Sequence, residues 1–242
     1  SDSAESGGES RRKNAADEQK SVARGIAAAG RVAVPAREPA ESAARGNTYP
    51  PGNRNRHRMP TVAIIGGGPA GLSAGLFTAK NDLDTVVFDT DETWMHKAHV
   101  YNYLGIDEVG GTEFVEQARE QVENFDADLR VGEAVTGVER DGDEFAVTTD
   151  DGEYDAQYVV FATGTDTELP EQLGCETTEG GLIDVDLNMQ TSVENAYAVG
   201  SMIRDQTWEA VISAGDGGAA ALEILSEEAG EPVHDFDVPD EE

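Results

Sequence analysis

The sequence predicts an α/β domain built on a parallel sheet, and three observations predict it. An apolar run at 62–65 leads into Gly66-Gly67-Gly68-Pro69-Ala70-Gly71, a second at 85–88 closes on Asp89, and a third at 196–199 closes on Gly200. Short apolar runs that stop at turn signals read as strands buried on both faces, as in a parallel sheet covered on both sides. Between the first two runs lies LSAGLFTAK, which reads as a helix. Strand, glycine turn, helix and strand make one βαβ unit.

The glycines fit G-x-G-x-x-G at Gly66, Gly68 and Gly71, and Asp89 lies 23 positions beyond Gly66. Gly66 allows a tight turn, Gly68 lets the backbone approach a pyrophosphate with no Cβ in the way, and Gly71 lets the helix sit close on the sheet. Pro69 and Ala70 open that helix, whose N-terminal N–H groups suit phosphate oxygens. Asp89 can accept hydrogen bonds from a ribose diol. An ordinary glycine-rich strand–helix turn is the bland alternative. The full unit, closed by an acid, points to a dinucleotide.

Downstream, Phe114, Ala118, Val122 and Phe125 recur at helical spacing within 112–125. Short β-like runs follow at 134–140, 144–149 and 154–164, punctuated by the hairpin turns Asp141-Gly142 and Asp151-Gly152. This reads as a three-stranded meander inserted into the α/β unit and returning through Ala162-Thr163-Gly164, unlike a plain nicotinamide domain. Residues 191–200 read as a turn feeding a short buried strand, and 209–225 as a glycine-rich helix. The expected domain is a parallel sheet with helices on one side and the meander on the other.

The order GGGPAGLSAG, Asp89, Asn102-Tyr103, Ala162-Thr163-Gly164, TSVENAYAVG and EAVISAGDGGAAAL resembles the FAD domain of the low-molecular-weight thioredoxin reductase family, over roughly residues 60–226. The resemblance implies a single FAD-binding Rossmann-like domain. It assigns the first glycine motif to the FAD pyrophosphate, Asp89 to the adenosine ribose and Val135 to the neighbourhood of adenine. Thr163 and Gly164 end the returning strand, while Gly200 and Ser201 meet the ribityl and phosphate region. Glu209 and Ala210, at the start of the last helix, face the flavin pyrimidine ring. Residues 94–105 match the stretch that lines the isoalloxazine, with Asn102 and Tyr103 the closest matches. A tyrosine there can pack on the flavin, and His99 could relay a proton near neutral pH. His96 and His99 fit equally well as surface or loop-anchoring residues.

Departures from the family pattern carry information too. Ser201 stands where the pattern has aspartate, and Trp208-Glu209-Ala210 where it has Arg-Gln-Ala. Glu209 turned inward would oppose the negative charge that the helix dipole and the Ala210 N–H favour at a reduced flavin. Relatives that reduce thioredoxin insert an NADPH domain with a C-x-x-C disulfide between the Ala-Thr-Gly strand and the Thr-Ser-Val segment. Here positions 164 and 184 are only 20 residues apart, and one βαβ unit needs about 30. Cys175 is the only cysteine, which excludes a dithiol relay within the chain. A bystander thiol is the plain reading of it.

Three functional readings remain. The first is a single-domain FAD oxidoreductase that takes electrons from a transiently bound NAD(P)H or from a donor protein. The second is a non-catalytic flavin-binding module or subunit. The third is an NAD-binding enzyme, against which the meander and the late glycine strand argue. The family commonly dimerises, so a homodimer is an expectation of the resemblance.

The chain carries 17 basic and 49 acidic residues, a net charge of −32. Residues 1–58 hold 11 of the basic and 7 of the acidic ones, which leaves 6 and 42 for the remainder. Self-repulsion of that size is screened by salt, so the expected setting is the high-salt cytoplasm of an extreme halophile. Nucleic acid and anionic membranes are poor partners for such a surface. The first 58 residues lack apolar periodicity and read as a disordered extension, with Met59 a candidate native start. The folded domain is expected at 59–230 and a mobile acidic tail at 231–242. Neither metal-ligand spacing nor a serine–histidine–acid pattern stands out.

Overall fold

Strand β1 (Thr61–Ile65) forms the centre of the main sheet in the computed structural model, which describes residues 61–237. The expectations for residues 1–58, the start at Met59 and the last five residues lie outside the described residues. Parallel to β1 run β2 (Asp84–Asp89) on one side and β9 (Tyr158–Phe161) on the other. β5 (Asp128–Val131) and β10 (Ala196–Ala198) extend the two edges, giving the order β10-β9-β1-β2-β5.

The two faces of β1 belong to different layers, as the period of two in a strand demands. Val62 and Ile64 pack with Ala70 and Ala74 of α1 (Pro69–Lys80) and with Ala220 and Ile224 of α4 (Ala210–Ala229). Ala63 and Ile65 face the meander, joining Val147 and Ala156 in one cluster and Val138, Phe145 and Phe161 in another. The helix layer is thin because small residues line it. A Cβ on Gly217 would come within 2.0 Å of the Ala70 carbonyl oxygen, so α4 can cross α1 at this distance only with glycine there. α2 (Gly111–Glu123) covers the far side of α1 through Val115 and Val122.

The meander is β6 (Val135–Asp141), β7 (Glu144–Thr149) and β8 (Glu153–Ala156), antiparallel throughout. Gly142 takes φ +64° at its first turn. The run at 154–164, which reads as one strand, divides between two sheets. Residues up to Ala156 finish the meander, the Gln157 N–H donates to the Thr61 carbonyl at 2.9 Å, and β9 continues in the parallel sheet. α2 ends two residues before the expected position, with Phe125 left 40% exposed and Asp126 at φ +63°. α4 runs four residues further than expected, to a C-terminal stop at Gly230 (φ +68°).

The interval that links β9 to β10 is part of the core. It contains α3 (Glu168–Leu173), closed by Gly174 at φ +99°, and a bridge between Thr177 and Ile183. Ile183 is 1% exposed and packs with Cys175, Phe161 and Met202 beneath the sheet. Residues 231–237, expected to be loose, are tied back to the helix layer. Lys80 pairs with both Asp235 and Asp237, and the Val233 N–H donates to the Ser226 hydroxyl at 3.0 Å.

Candidate functional site

All parallel strands of a βαβ sheet deliver their carboxyl ends to one edge, and a crevice opens where connections leave in opposite directions. Here that point lies between β1 and β9. Gly66 follows β1, Ala162-Thr163-Gly164 follow β9, Val199-Gly200 follow β10, and Asp89 ends β2. These positions are separated in sequence and converge through the parallel register.

The glycines of the first loop have distinct surroundings. A Cβ on Gly66 would sit 2.3 Å from the Ala162 carbonyl oxygen, and Gly66 has φ +118°, so glycine is required there by both space and backbone. A Cβ on Gly71 would lie 1.8 Å from the Gly66 carbonyl oxygen, and one on Gly67 would lie 1.9 Å from the Asp89 carboxylate. Gly68 differs: a Cβ there meets only the Thr93 hydroxyl, at 3.3 Å, and φ is −82°. Its outward side is open. Gly68 is also the N-cap of α1, with Pro69 at the first helical position and no side chain capping the helix end. The N–H groups of Ala70 and Gly71 therefore remain for an external acceptor. Gly200 (φ +78°) abuts this end of α1, where a Cβ would stand 3.3 Å from that of Ala70.

Asp89 is 2% exposed at the end of β2. One carboxylate oxygen accepts the Asp91 N–H at 2.9 Å, and the other accepts from Arg119 of α2, which also reaches Asp91 at 2.6 Å. The hydrogen bond from Arg119, and then that from His96, hold the Asp91 carboxyl below its ordinary range. A carboxylate has about four lone-pair sites, so Asp89 keeps capacity for a ribose hydroxyl. Arg119 escapes the sequence reading because nothing in α2 marks which acid, 30 residues away, it will meet. Val135 opens β6 opposite Thr149, next to Glu133, whose carboxylate accepts from Thr149 at 2.6 Å and Tyr154 at 2.9 Å. Glu133, buried and carrying two hydroxyl partners, is a second residue that the sequence did not single out.

A larger cavity, of about 670 Å³, opens at the same edge between residues 94 and 208, with Ser201, Met202 and Arg204 in its wall. The Asn102 amide donates to the Glu209 carboxylate at 2.7 Å, which ties the 94–105 segment to the start of α4. Glu209 is thus engaged rather than aimed alone into the cavity. It is the N-cap of α4 without a side-chain cap bond, and Ala210 is the first helical residue. Thr163 hydrogen-bonds the Asp166 carbonyl at 2.6 Å, and Gly164 (φ +71°) turns the chain toward Thr165 in the cavity wall. Tyr103 goes elsewhere. It tilts against Phe114, with centroids 5.4 Å apart, and lines a smaller cavity of about 240 Å³ between α1 and α2.

His99 bonds Glu108 at 3.0 Å and lies against the Tyr101 ring, 4.6 Å between centroids, on the short hairpin β3 (His99–Val100) and β4 (Val109–Gly110). His96 bridges Thr112 and Asp91, both at 3.0 Å, in a loop-anchoring arrangement. Cys175 is 6% exposed; burial pushes its thiol up, and the contact with Thr191 at 3.4 Å only partly offsets this. Among the described residues, no group of His, Cys, Asp and Glu could hold a metal ion, and no helix is long and apolar enough to cross a membrane.

The open face of Gly68, the uncapped α1 N-terminus and the buried acid closing β2 are the groups that could hold a pyrophosphate and a ribose, and the wide cavity beyond has room for a flavin ring. The residues fit FAD, and the domain is an FAD-binding one.

Residues 102–218 match the profile of the pyridine nucleotide-disulphide oxidoreductases, so this stretch is similar to that family. A dihydrolipoyl dehydrogenase from Haloferax volcanii is 29% identical over 181 residues, which is 71% of this chain and 35% of the relative. A thioredoxin reductase from Listeria monocytogenes is 34% identical over 130 residues, 52% of this chain and 40% of the relative. The chain thus covers well under half of either relative. A solved thioredoxin reductase from Gloeobacter violaceus shares the fold, with TM-score 0.66 and 19% identity over 74% of this chain and 98% of that one.

Proposed function

We propose that the domain works as a single-domain FAD-dependent oxidoreductase that does not use a dithiol relay of its own. One observation carries this reading. The interval between β9 and β10, where the family resemblance would place a second nucleotide domain, is folded into the core through α3, Cys175 and Ile183. A domain closed in this way supports a flavin that exchanges electrons with partners from outside the chain.

Bound FAD would supply two-electron redox chemistry. The chain's own residues bind and position it. The N–H groups of Ala70 and Gly71 would hold the pyrophosphate and Asp89 the ribose, with Arg119 fixing its carboxylate, and Gly200 and Ser201 would contribute the ribityl and phosphate contacts that the resemblance implies. The N-terminus of α4 favours negative charge next to Ala210, while the Asn102 amide partly offsets the Glu209 carboxylate beside it. Cys175, buried and with its thiol raised, is a packing residue in this scheme. The donor is a reduced nicotinamide or a donor protein, and the acidic surface fits a high-salt cytoplasm. A homodimer in the manner of the family is part of the reading.

The test is an anaerobic visible spectrum of the protein in molar KCl. The oxidised flavin band should be present after purification or reconstitution with FAD, and NADH, NADPH or a reduced donor protein should bleach it. A band that none of these bleaches would leave a flavin-binding module without turnover. No band after reconstitution would overturn the assignment as a whole.

A further inference from the structure

Three carboxylates are buried among the described residues: Asp89, Glu133 and Asp216, at 2%, 6% and 4% exposure. A buried charge is costly unless it is paired and hydrogen-bonded. Asp89 is met by Arg119 and Asp216 by Arg204. Glu133 has no such partner. The Thr149 and Tyr154 hydroxyls donate to it at 2.6 and 2.9 Å, both to the same oxygen, Oε1. Arg130 lies over the Tyr154 ring, 5.9 Å from its centroid, but bonds Asp128 instead. Among the described residues nothing donates to Oε2, which is not sealed off from the surface.

The place of Glu133 along the sheet edge identifies the missing donor. The pyrophosphate belongs to the start of α1, which follows β1, and the ribose to Asp89, which ends β2. A nucleoside ribose carries its phosphate at C5′ and its base at C1′, on opposite sides of the ring. The base therefore continues the line away from β1, and the next strand on that line is β5, the edge of the sheet. Val131, the last residue of β5, pairs with Asp89, and the Gly132 N–H donates to the Asp89 carbonyl at 2.6 Å. Glu133 follows directly. Gly132 keeps the approach clear: it takes φ +88°, and a Cβ on it would meet nothing within 4 Å. Behind Glu133 the Tyr154 ring stands edge-on to Phe88, with centroids 4.9 Å apart.

We infer that Glu133 recognises the adenine base of the cofactor, its Oε2 accepting from the 6-amino group, and so selects a flavin dinucleotide that carries this amine. The inference rests on the FAD reading above and adds a specificity-determining residue to it. A carboxylate can only accept, and the amino group is the one N–H donor of a base joined to ribose as adenine is. The Thr149 and Tyr154 hydroxyls already hold the carboxylate by its other oxygen, so little side-chain freedom is lost when the base arrives.

The test is a titration of flavin-stripped protein in molar KCl, followed by flavin fluorescence, with FAD and with its purine analogue, in which hydrogen replaces the adenine amino group. A hydrogen bond to a charged group predicts that wild type binds FAD more tightly by about tenfold or more. Glu133→Gln keeps an oxygen for the two hydroxyls and turns amide N–H groups toward the base, so the preference for FAD should vanish. The purine analogue should bind wild type and variant alike, whereas a merely structural role for Glu133 predicts both flavins weakened in proportion. Wild-type affinities within about threefold of each other, below the range for such a bond, overturn the inference, and this comparison needs no variant to fold. Proportional weakening of both flavins by Glu133→Gln overturns it too. Wild type that binds neither flavin overturns the FAD reading, and this inference with it.

Discussion

Replacing Gly68 with valine separates folding from cofactor binding more cleanly than any other change in the glycine loop. At Gly71 a Cβ would stand 1.8 Å from a backbone oxygen, so Gly71→Ala must move the loop or the helix. At Gly68 the backbone is extended (φ −82°, ψ −175°) and a Cβ meets only the Thr93 hydroxyl, at 3.3 Å. Valine adopts that conformation without strain, so the apoprotein should lose no more than about 0.5–1 kcal/mol. What the valine fills is the space in front of the α1 N-terminus. In wild type, FAD at a hundredfold its Kd stabilises the folded state by about 2.7 kcal/mol. For a domain of this size each kcal/mol shifts Tm by about 2–4 °C, so wild type should gain about 5–11 °C on adding FAD. Gly68→Val should gain none. The assay is a thermal melt followed by far-UV circular dichroism, with and without FAD, in molar KCl. A variant that melts like the wild-type apoprotein and still gains the full shift would refute the placement of the pyrophosphate at this helix end.

Three further outcomes are expected. Arg204→Met leaves the Asp216 carboxylate, 5% exposed in its side chain, without its partner; with Arg204 itself a third exposed, the loss should be about 2–3 kcal/mol, somewhat below the roughly 3–5 kcal/mol of a fully buried pair, read from denaturant unfolding. Cys175→Ala should leave flavin reduction rates unchanged, and the native thiol should be alkylated by iodoacetamide far more slowly than the unfolded one, as burial and its raised pKa require. The Asp91 carboxyl sits below its ordinary value of 3.8, so its contribution is whole above that pH and is lost as pH falls through the lower folded-state value. Asp91→Asn should therefore flatten the acid limb of a stability–pH curve below pH 4, and an unchanged limb would mean that the Arg119 contact carries no free energy.

The parts of the fold legible in the sequence are those that local chemistry dictates. Gly66 needs positive φ, β1 needs apolar residues on both faces, and Asp141-Gly142 needs a hairpin; each signal sits within a few residues of its effect. The division of 154–164 between two sheets was not legible because Gln157 interrupts neither the apolar run nor its alternation. What divides it is the hydrogen bond to Thr61, almost a hundred residues away. α3 was missed because six residues containing Pro170 give no periodicity to count. In the site, the backbone positions were readable and the side-chain partners were not. Asp89 stands where the spacing put it, but Arg119 as its partner, Arg204 as the partner of Asp216, and the turn of Tyr103 toward Phe114 are products of packing.

The distribution of charge around the cavity bears on how partners are chosen. Ser201 carries none of the charge that an aspartate would bring there, whereas Asp216, buried in α4, is neutralised by Arg204, and Glu209 is tied to Asn102. Among the described residues, Asp205 is thus the one carboxylate in the wall of the cavity of about 670 Å³. In dilute buffer the remaining surface would repel anionic partners at a distance and attract cationic ones. At 1 M salt the Debye length is about 3 Å, and that field ends at the surface. Recognition must then be made by contact, and the contacts on offer to the flavin ring are two indole rings and a rim of threonines. Flavin binding that depends on them should keep nearly the same affinity across the molar range of KCl. A steep fall in affinity with rising salt would instead mark electrostatic capture, for which Lys97 is the one described cation without a carboxylate partner.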